Sequence, residues 1–353
     1  MNVRKATQRY ENWLGRRLRL IEPDLQLKHE QMRAAVFPFF RATFYRWAQT
    51  WTAICAAAAK NPRVLAVGDL HVENFRTWRD VEGRLNWGVN DFDEAWPLPY
   101  SNDLIRLSTS ALVAELACDK RQGIDAILDG YAAGIAARGR PFALAEHHPV
   151  LRAMAAARLH DPEQYWAKLH AWPDVREQPP AGAMKALAAA MPEAGLRWRI
   201  VHRVAGLGSL GRERYVALAD WRGGSIAREA KALAPSACIW AEKGGGTGAI
   251  HYQEILNGAV RCSDPFVRVR KRWIVRRLAP DCSRIELSAL PKQRDEIRLL
   301  RAMGFETANV HLGSARPGTL AADLKKRKRG WLYEAARRME EAVRRDWDAW
   351  KKS

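Results

Sequence analysis

Five carboxylates, Asp69, Glu73, Asp91, Asp93 and Glu94, crowd into 26 positions of a chain whose formal net charge is +19. Oxygen donors gathered at strand ends suit a hard cation such as magnesium, which prefers carboxylate, amide and phosphate oxygens. Strand alternation puts Asp91 and Asp93 on one face and turns Phe92 toward the core. Phosphoryl transfer needs an Asp to orient and deprotonate a hydroxyl. It also needs an Asn a few residues on to hold metal, and a second Asp on a following hairpin to bridge metal and phosphates. Asp69, Asn74 and Asp91 have that spacing. Taken singly, a Gly-Asp pair after a strand is an ordinary turn, and His71 is an ordinary packed or surface histidine; the combination carries the reading.

A second chemical signal lies far downstream, in Val204-Ala205-Gly206-Leu207-Gly208-Ser209-Leu210-Gly211. A dinucleotide site would require a helix straight after the third glycine. Here a strand-like run follows, Tyr215 to Leu218, as in loops that fold over ATP phosphates. Gly206, Gly208, Ser209 and Gly211 are the expected phosphate cradle. Lys231, in Glu229-Ala230-Lys231, lies at the right distance to clamp the α- and β-phosphates. Its expected ion-pair partner is Glu254, with Glu242 as second choice.

The elements that must position these groups can be read coarsely. Helices fill residues 5 to 60, one through Gln31–Ala35 and another from Arg41 to Lys60 with Phe44, Trp47, Trp51 and Ile54 at helical spacing. Asn61-Pro62 stops it. Val64 to Val67 reads as a strand, Arg84 to Phe92 as a second strand or hairpin, and a helix starts at Asn102 or Asp103. Helical sequence runs on to about residue 192. Strand patterns follow at Trp198–Val204, Tyr215–Leu218, Ser225–Lys231 and Lys271–Leu278, and helix resumes beyond Leu290, ending in Trp331 to Lys352.

Gly-Asp-Leu-His-x-x-Asn (residues 68 to 74) resembles the catalytic loop of aminoglycoside phosphotransferase-like and choline-kinase-like enzymes. Asn90-Asp91-Phe92 resembles their metal-binding motif, and Asp103-Leu104 the Asp-Leu pair after it. Val67 stands where those enzymes usually have His. More broadly, the Met32 to Arg41 helix region and the stretches GDLHVENF, NDFDEA with NDLIRLSTS, GLGSLGRERYVAL, EAK and WIVRRL, spread over about 28 to 280, resemble the bacterial domain of unknown function 2252. That family is grouped with the protein-kinase-like fold. The last 60 residues match loosely, with Ala308-Asn309-Val310-His311 where a more regular Ala-His helix motif is expected.

The resemblance implies an α+β, bilobal, protein-kinase-like fold with the lobes in circularly permuted order. Residues 1–195 and 286–353 would form a mostly helical large lobe, and 196–285 a small antiparallel β-rich lobe. It implies ATP and Mg2+ as cofactors, Asp69 as base, Lys231 on phosphate, and Asn74 and Asp91 on metal, with Asp93 or Glu94 on a second ion. Trp273 to Leu278 would lead to the hinge beside the adenine. The activity implied is phosphoryl transfer to an unidentified hydroxyl-bearing acceptor. AMP transfer on the same scaffold, nucleotide binding without transfer, and a basic nucleic-acid-binding protein are the alternatives.

Composition sets outer limits. The chain has 353 residues, 48% hydrophobic and 27% charged, as expected of a globular protein. Its positive surplus, including Lys325 to Arg329, attracts polyanions without specifying one. The cysteines have no zinc-ligand spacing and read as reduced thiols. With no secretory leader and no apolar stretch of membrane-spanning length, the expected location is cytoplasmic.

Overall fold

In a computed structural model, the structure describes residues 2–175, 177–242, 248–287, 290 and 293–352. The apolar run after Arg63 forms β1 (Arg63–Ala66) and pairs antiparallel with β4 (Trp96–Pro99). Between them, β2 (Phe75–Arg79) and β3 (Leu85–Val89) make a hairpin whose register sets Phe75 opposite Val89. That register brings the two acidic segments together, and the Asn90 amide donates to the Asn74 carbonyl at 2.9 Å.

The remaining strands, β5 (Arg199–His202), β6 (Arg214–Trp221), β7 (Gly224–Ala232), β8 (Arg268–Arg270) and β9 (Trp273–Leu278), form one antiparallel sheet in the order β5-β6-β7-β9-β8. Alternation gives it two different faces. Tyr215, Ala217, Ala230, Ala232, Trp273 and Val275 pack under Ala183, Ala186 and Leu187 of the helix Ala181–Ala188. The opposite face is apolar at one end, where Val216, Leu218, Ala227 and Leu278 meet Leu169. Nearer the other end the same face carries charge, with Arg214 paired across from Lys231 and Glu229 across from Arg276. The sheet's cover therefore comes from helices that precede residue 196 in the chain.

The helical body is built around Ser101–Val113, buried at every residue, flanked by Lys120–Ala136, Gln293–His311 and Trp331–Lys351. The helix expected over Arg41–Lys60 is interrupted. Val36–Ala42 ends at Thr43, whose hydroxyl donates to the Phe39 carbonyl at 2.7 Å, and Phe44–Ile54 follows. The architecture is mixed α+β. Among the described residues no helix is long and apolar enough to cross a membrane, and the five cysteines are free.

Candidate active site

The loop after β1 is held by a buried carboxylate. Asp103, in the first turn of Ser101–Val113, accepts the Val67 amide at 2.7 Å and the Gly68 amide at 3.0 Å. His311, the last residue of its helix, lies with Nε2 3.0 Å from Asp103 Oδ2, and its Nδ1 lies 2.9 Å from the Tyr131 hydroxyl. Asp103 and His311 are both 0% exposed. A buried carboxylate is tolerated when its lone pairs are used; these three partners, with Asn102 Nδ2 as a fourth at 3.0 Å, use them. The bracing that a His at position 67 would supply thus comes from Asp103 and His311.

Asp69 projects from this loop and is gripped on one side only. Arg106 donates from Nε and Nη2 to Asp69 Oδ1 at 2.8 and 2.6 Å, and from Nη2 to the Phe40 carbonyl at 3.1 Å. The guanidinium is 0% exposed and lies over the rings of Phe40, Phe44 and Trp47 at 4.1 to 4.9 Å. The break at Thr43 is what lets helices on either side supply those rings. Burial raises the Asp69 pKa above its ordinary value, with Arg106 and Arg41 opposing. The outcome is a carboxylate of increased basicity, oriented by a fixed cation.

Asn74 ties the loop to the second acidic segment. Its Nδ2 donates to the Asp91 carbonyl at 2.9 Å and the Asp69 carbonyl at 3.3 Å, while its Oδ1 accepts the Asp91 amide at 2.9 Å. The sequence reading put Asn74 on metal; here its amide is committed to holding two backbones. Asp91 and Asp93 converge on Lys231 from β7. The ammonium lies 3.0 Å from Asp91 Oδ2 and 2.6 Å from Asp93 Oδ2, and is itself 0% exposed. Burial lowers the Lys231 pKa against the pull of both carboxylates. Burial alone would raise Asp91, but Lys231 and Arg276 hold it well below the usual range. Asp93 shifts upward through burial and the neighbouring Asp91 charge. Glu94 turns away to Arg212 (3.2 Å) and to the Ala237 amide (2.6 Å).

The glycine-rich segment arrives over Asp69. A Cβ at Gly208 would stand 3.1 Å from the Arg41 carbonyl and 3.5 Å from Asp69 Oδ2, so only glycine leaves that space open. Ser209 braces the loop, donating to the Gly206 carbonyl at 3.1 Å and accepting Arg214 Nη2 at 2.8 Å; Arg214 Nη1 continues to Glu229 at 3.0 Å. Gly211 serves packing: its φ is +89°, and a Cβ would lie 2.5 Å from Leu25.

Glu254 is not brought to Lys231. It sits in the first turn of Tyr252–Gly258, two-thirds exposed, and pairs with His251 at 2.6 Å. That short helix buries Tyr252 and Ile255, leaving Glu254 outside. The second choice, Glu242, accepts Trp96 Nε1 at 3.3 Å. Lys231 takes Asp91 and Asp93 instead.

Two chambers join here. The inner, about 70 Å3, is lined by Asp69, Asp91, Asp93, Gly206, Gly208 and Arg212, among others. The outer, about 150 Å3, runs between β2 and β9, and Arg41, His71, Asn74, Asp91 and Gly206 line both. Each is smaller than the ~300 Å3 at which pockets for drug-sized ligands begin. Among the described residues no group of three His, Cys, Asp or Glu side chains is arranged to hold a metal ion. Magnesium, however, is often bound through one or two carboxylates plus substrate phosphates. Asp91 and Asp93 already enclose a cation, and Asp93 Oδ1 is buried without a hydrogen bond. The donor set fits half a magnesium site.

The fold and site define a mixed α+β protein with a charged cleft between a helical body and an antiparallel sheet. Residues 19–163 match the profile of a family described as uncharacterized protein conserved in bacteria (DUF2252). The matched stretch holds Asp69, Asn74, Asp91, Asp93, Asp103 and Arg106, and ends before the glycine loop and Lys231. No curated protein and no solved structure matches the chain.

Proposed function

We propose that the chain is an ATP- and magnesium-dependent phosphotransferase of kinase-like construction, its small lobe inserted after the catalytic loop. One observation carries this reading: Lys231, from the sheet, meets Asp91 and Asp93, from the acidic segment, at 3.0 and 2.6 Å. Two stretches of chain some 140 residues apart in sequence thus meet directly behind the cleft that Asp69, Asp91, Asp93 and the glycine loop line. In a kinase the Lys on the strand after the glycine hairpin and the metal-binding Asp converge on the same phosphates.

Asp69 would take the proton of the acceptor hydroxyl through Oδ2, since Arg106 occupies Oδ1. Asp91 and Asp93 would hold magnesium, whose contribution is to neutralise phosphate charge. Lys231 would move from the carboxylates to the phosphates, and Asn74 keeps the Asp69 and Asp91 backbones in register. Admitting a whole nucleotide requires the 204–211 loop to lift from Asp69, because the inner chamber is only about 70 Å3.

The test follows ATP turnover by phosphorus NMR with magnesium present. Formation of ADP with a new phosphoryl product supports the proposal, and pyrophosphate release would identify AMP transfer instead. Asp69→Asn should abolish turnover while ATP binding, measured by calorimetry, persists; turnover equal to the parent's removes Asp69 from its role.

A further inference from the structure

The outer chamber holds more cation than its own carboxylates can satisfy. Arg41, Arg76, Arg203, Arg214, Arg276 and Arg277 line it, against Glu73, Asp91 and Asp264. Glu73 is shared by Arg41 and Arg284, and Asp91 is taken by Lys231. Below the floor, one carboxylate serves three guanidiniums: Glu229 meets Arg203 at 2.6 Å, Arg214 at 3.0 Å and Arg276 at 3.2 Å. Arg76 is left over. Its guanidinium has no hydrogen bond or ion pair among the described residues. Burial, followed by repulsion from Arg284, Arg203 and Arg276, pushes its pKa down to about 9. Arg276 Nη2 and Arg41 Nε are likewise buried without hydrogen-bond partners.

Like charges held together in a half-buried chamber are costly unless something of opposite charge is to enter. A guanidinium fork with no carboxylate matches the geometry of a phosphate. Glu229, two residues before Lys231 and buried under these arginines, also makes this part of the sheet a poor ceiling for an uncharged base.

We propose that the chamber between β2 and β9 is a phosphate-binding subsite, with Arg76 as its free contact. The phosphate belongs either to the nucleotide, lying with its phosphates under the sheet, or to a phosphorylated acceptor. Only that choice of source rests on the transfer reading; the binding site stands without it.

The experiment is isothermal titration calorimetry of the full chain with sodium pyrophosphate, ATP and adenosine, without metal. Pyrophosphate should bind and adenosine should not. Arg76→Gln should weaken pyrophosphate by about tenfold or more, the worth of a charge-assisted contact, while Lys325→Gln on the distant basic run leaves it unchanged. Arg76→Gln should also melt above the parent in anion-free buffer, showing that the variant folds and that repulsion is relieved. Equal pyrophosphate affinity in parent and Arg76→Gln overturns the subsite, as does an equal loss in Lys325→Gln. If ATP competes with pyrophosphate and also weakens in Arg76→Gln, the phosphates are the nucleotide's. If ATP binds alongside pyrophosphate and ignores the substitution, the phosphate is the acceptor's. Arg76-dependent binding in a chain without ATP turnover would keep the subsite and remove the transfer reading; turnover without such binding would do the reverse.

Discussion

Replacing Lys231 by Met keeps an unbranched side chain one atom shorter and deletes its charge. The ammonium is fully buried and sits 3.0 Å from Asp91 and 2.6 Å from Asp93, so two carboxylates lose their common counter-charge. Asp93 retains Arg212 at 3.3 Å. Removing one partner of a buried ion pair costs about 3–5 kcal/mol. Unfolding entropy of about 2.1 cal/mol/K per residue amounts to ~0.74 kcal/mol/K for this chain, so a single cooperative transition should fall by about 4–7 °C. Differential scanning calorimetry at pH 7 with chelator measures the drop. Magnesium should then act in the ammonium's place: at ~100-fold over its dissociation constant it returns about 2.7 kcal/mol, or ~4 °C. The parent, whose lysine competes for the same oxygens, should respond less. A variant melting within about 1 °C of the parent, or a magnesium response equal in both, would refute the reasoning.

Two further outcomes test the surroundings. Gly211→Ala forces a side chain into φ +89° and to 2.5 Å from Leu25; a left-handed penalty of ~1–2 kcal/mol plus overpacking of ~1–3 should lower the melting temperature by several degrees, and an unchanged transition would contradict the packing. Burial pushes the Glu306 carboxyl up to about 7, so the folded state holds its proton more tightly than the unfolded chain does. That stability is present below the ordinary carboxylate pKa near 4.5 and is lost as pH rises through about 7. In urea unfolding, Glu306→Gln should therefore gain on the parent by up to ~3 kcal/mol between pH 5 and 8, and a difference independent of pH would exclude the shift.

The groups within the acidic segments were legible because their spacing is local: Asp69, Asn74 and Asp91 need only a loop and a hairpin to meet. That Lys231 would face Asp91 was legible only from two weak signals pointing to one chemistry. What was missed depends on long-range burial. In sequence the spacing of Leu104, Leu107, Ala111 and Leu112 suits a helix with one buried face, but all faces of Ser101–Val113 are covered, so Arg106 had to find a buried anion and Asp69 was it. An arginine set between Ile105 and Leu107 was the available signal. Strand β2, Phe-Arg-Thr-Trp-Arg, was overlooked because its alternation is masked by Arg76, which lines the outer chamber, and by the exposed Arg79. The Glu254 assignment followed chain order, whereas pairing followed which face of a short helix was buried. The three arginines on Glu229 left no local trace, since they come from β6, β9 and the segment after β5.

The link from His311 through Asp103 to the Val67 and Gly68 amides has a consequence for biosynthesis. About 240 residues separate Asp69 from His311, which a ribosome adding ~5–20 residues per second takes roughly 12–48 s to deliver. Throughout that interval the nascent loop lacks its final clamp, and the acids can be set in place only when the closing helix has emerged. Translation thus delays assembly of the acidic site until His311 itself has been made.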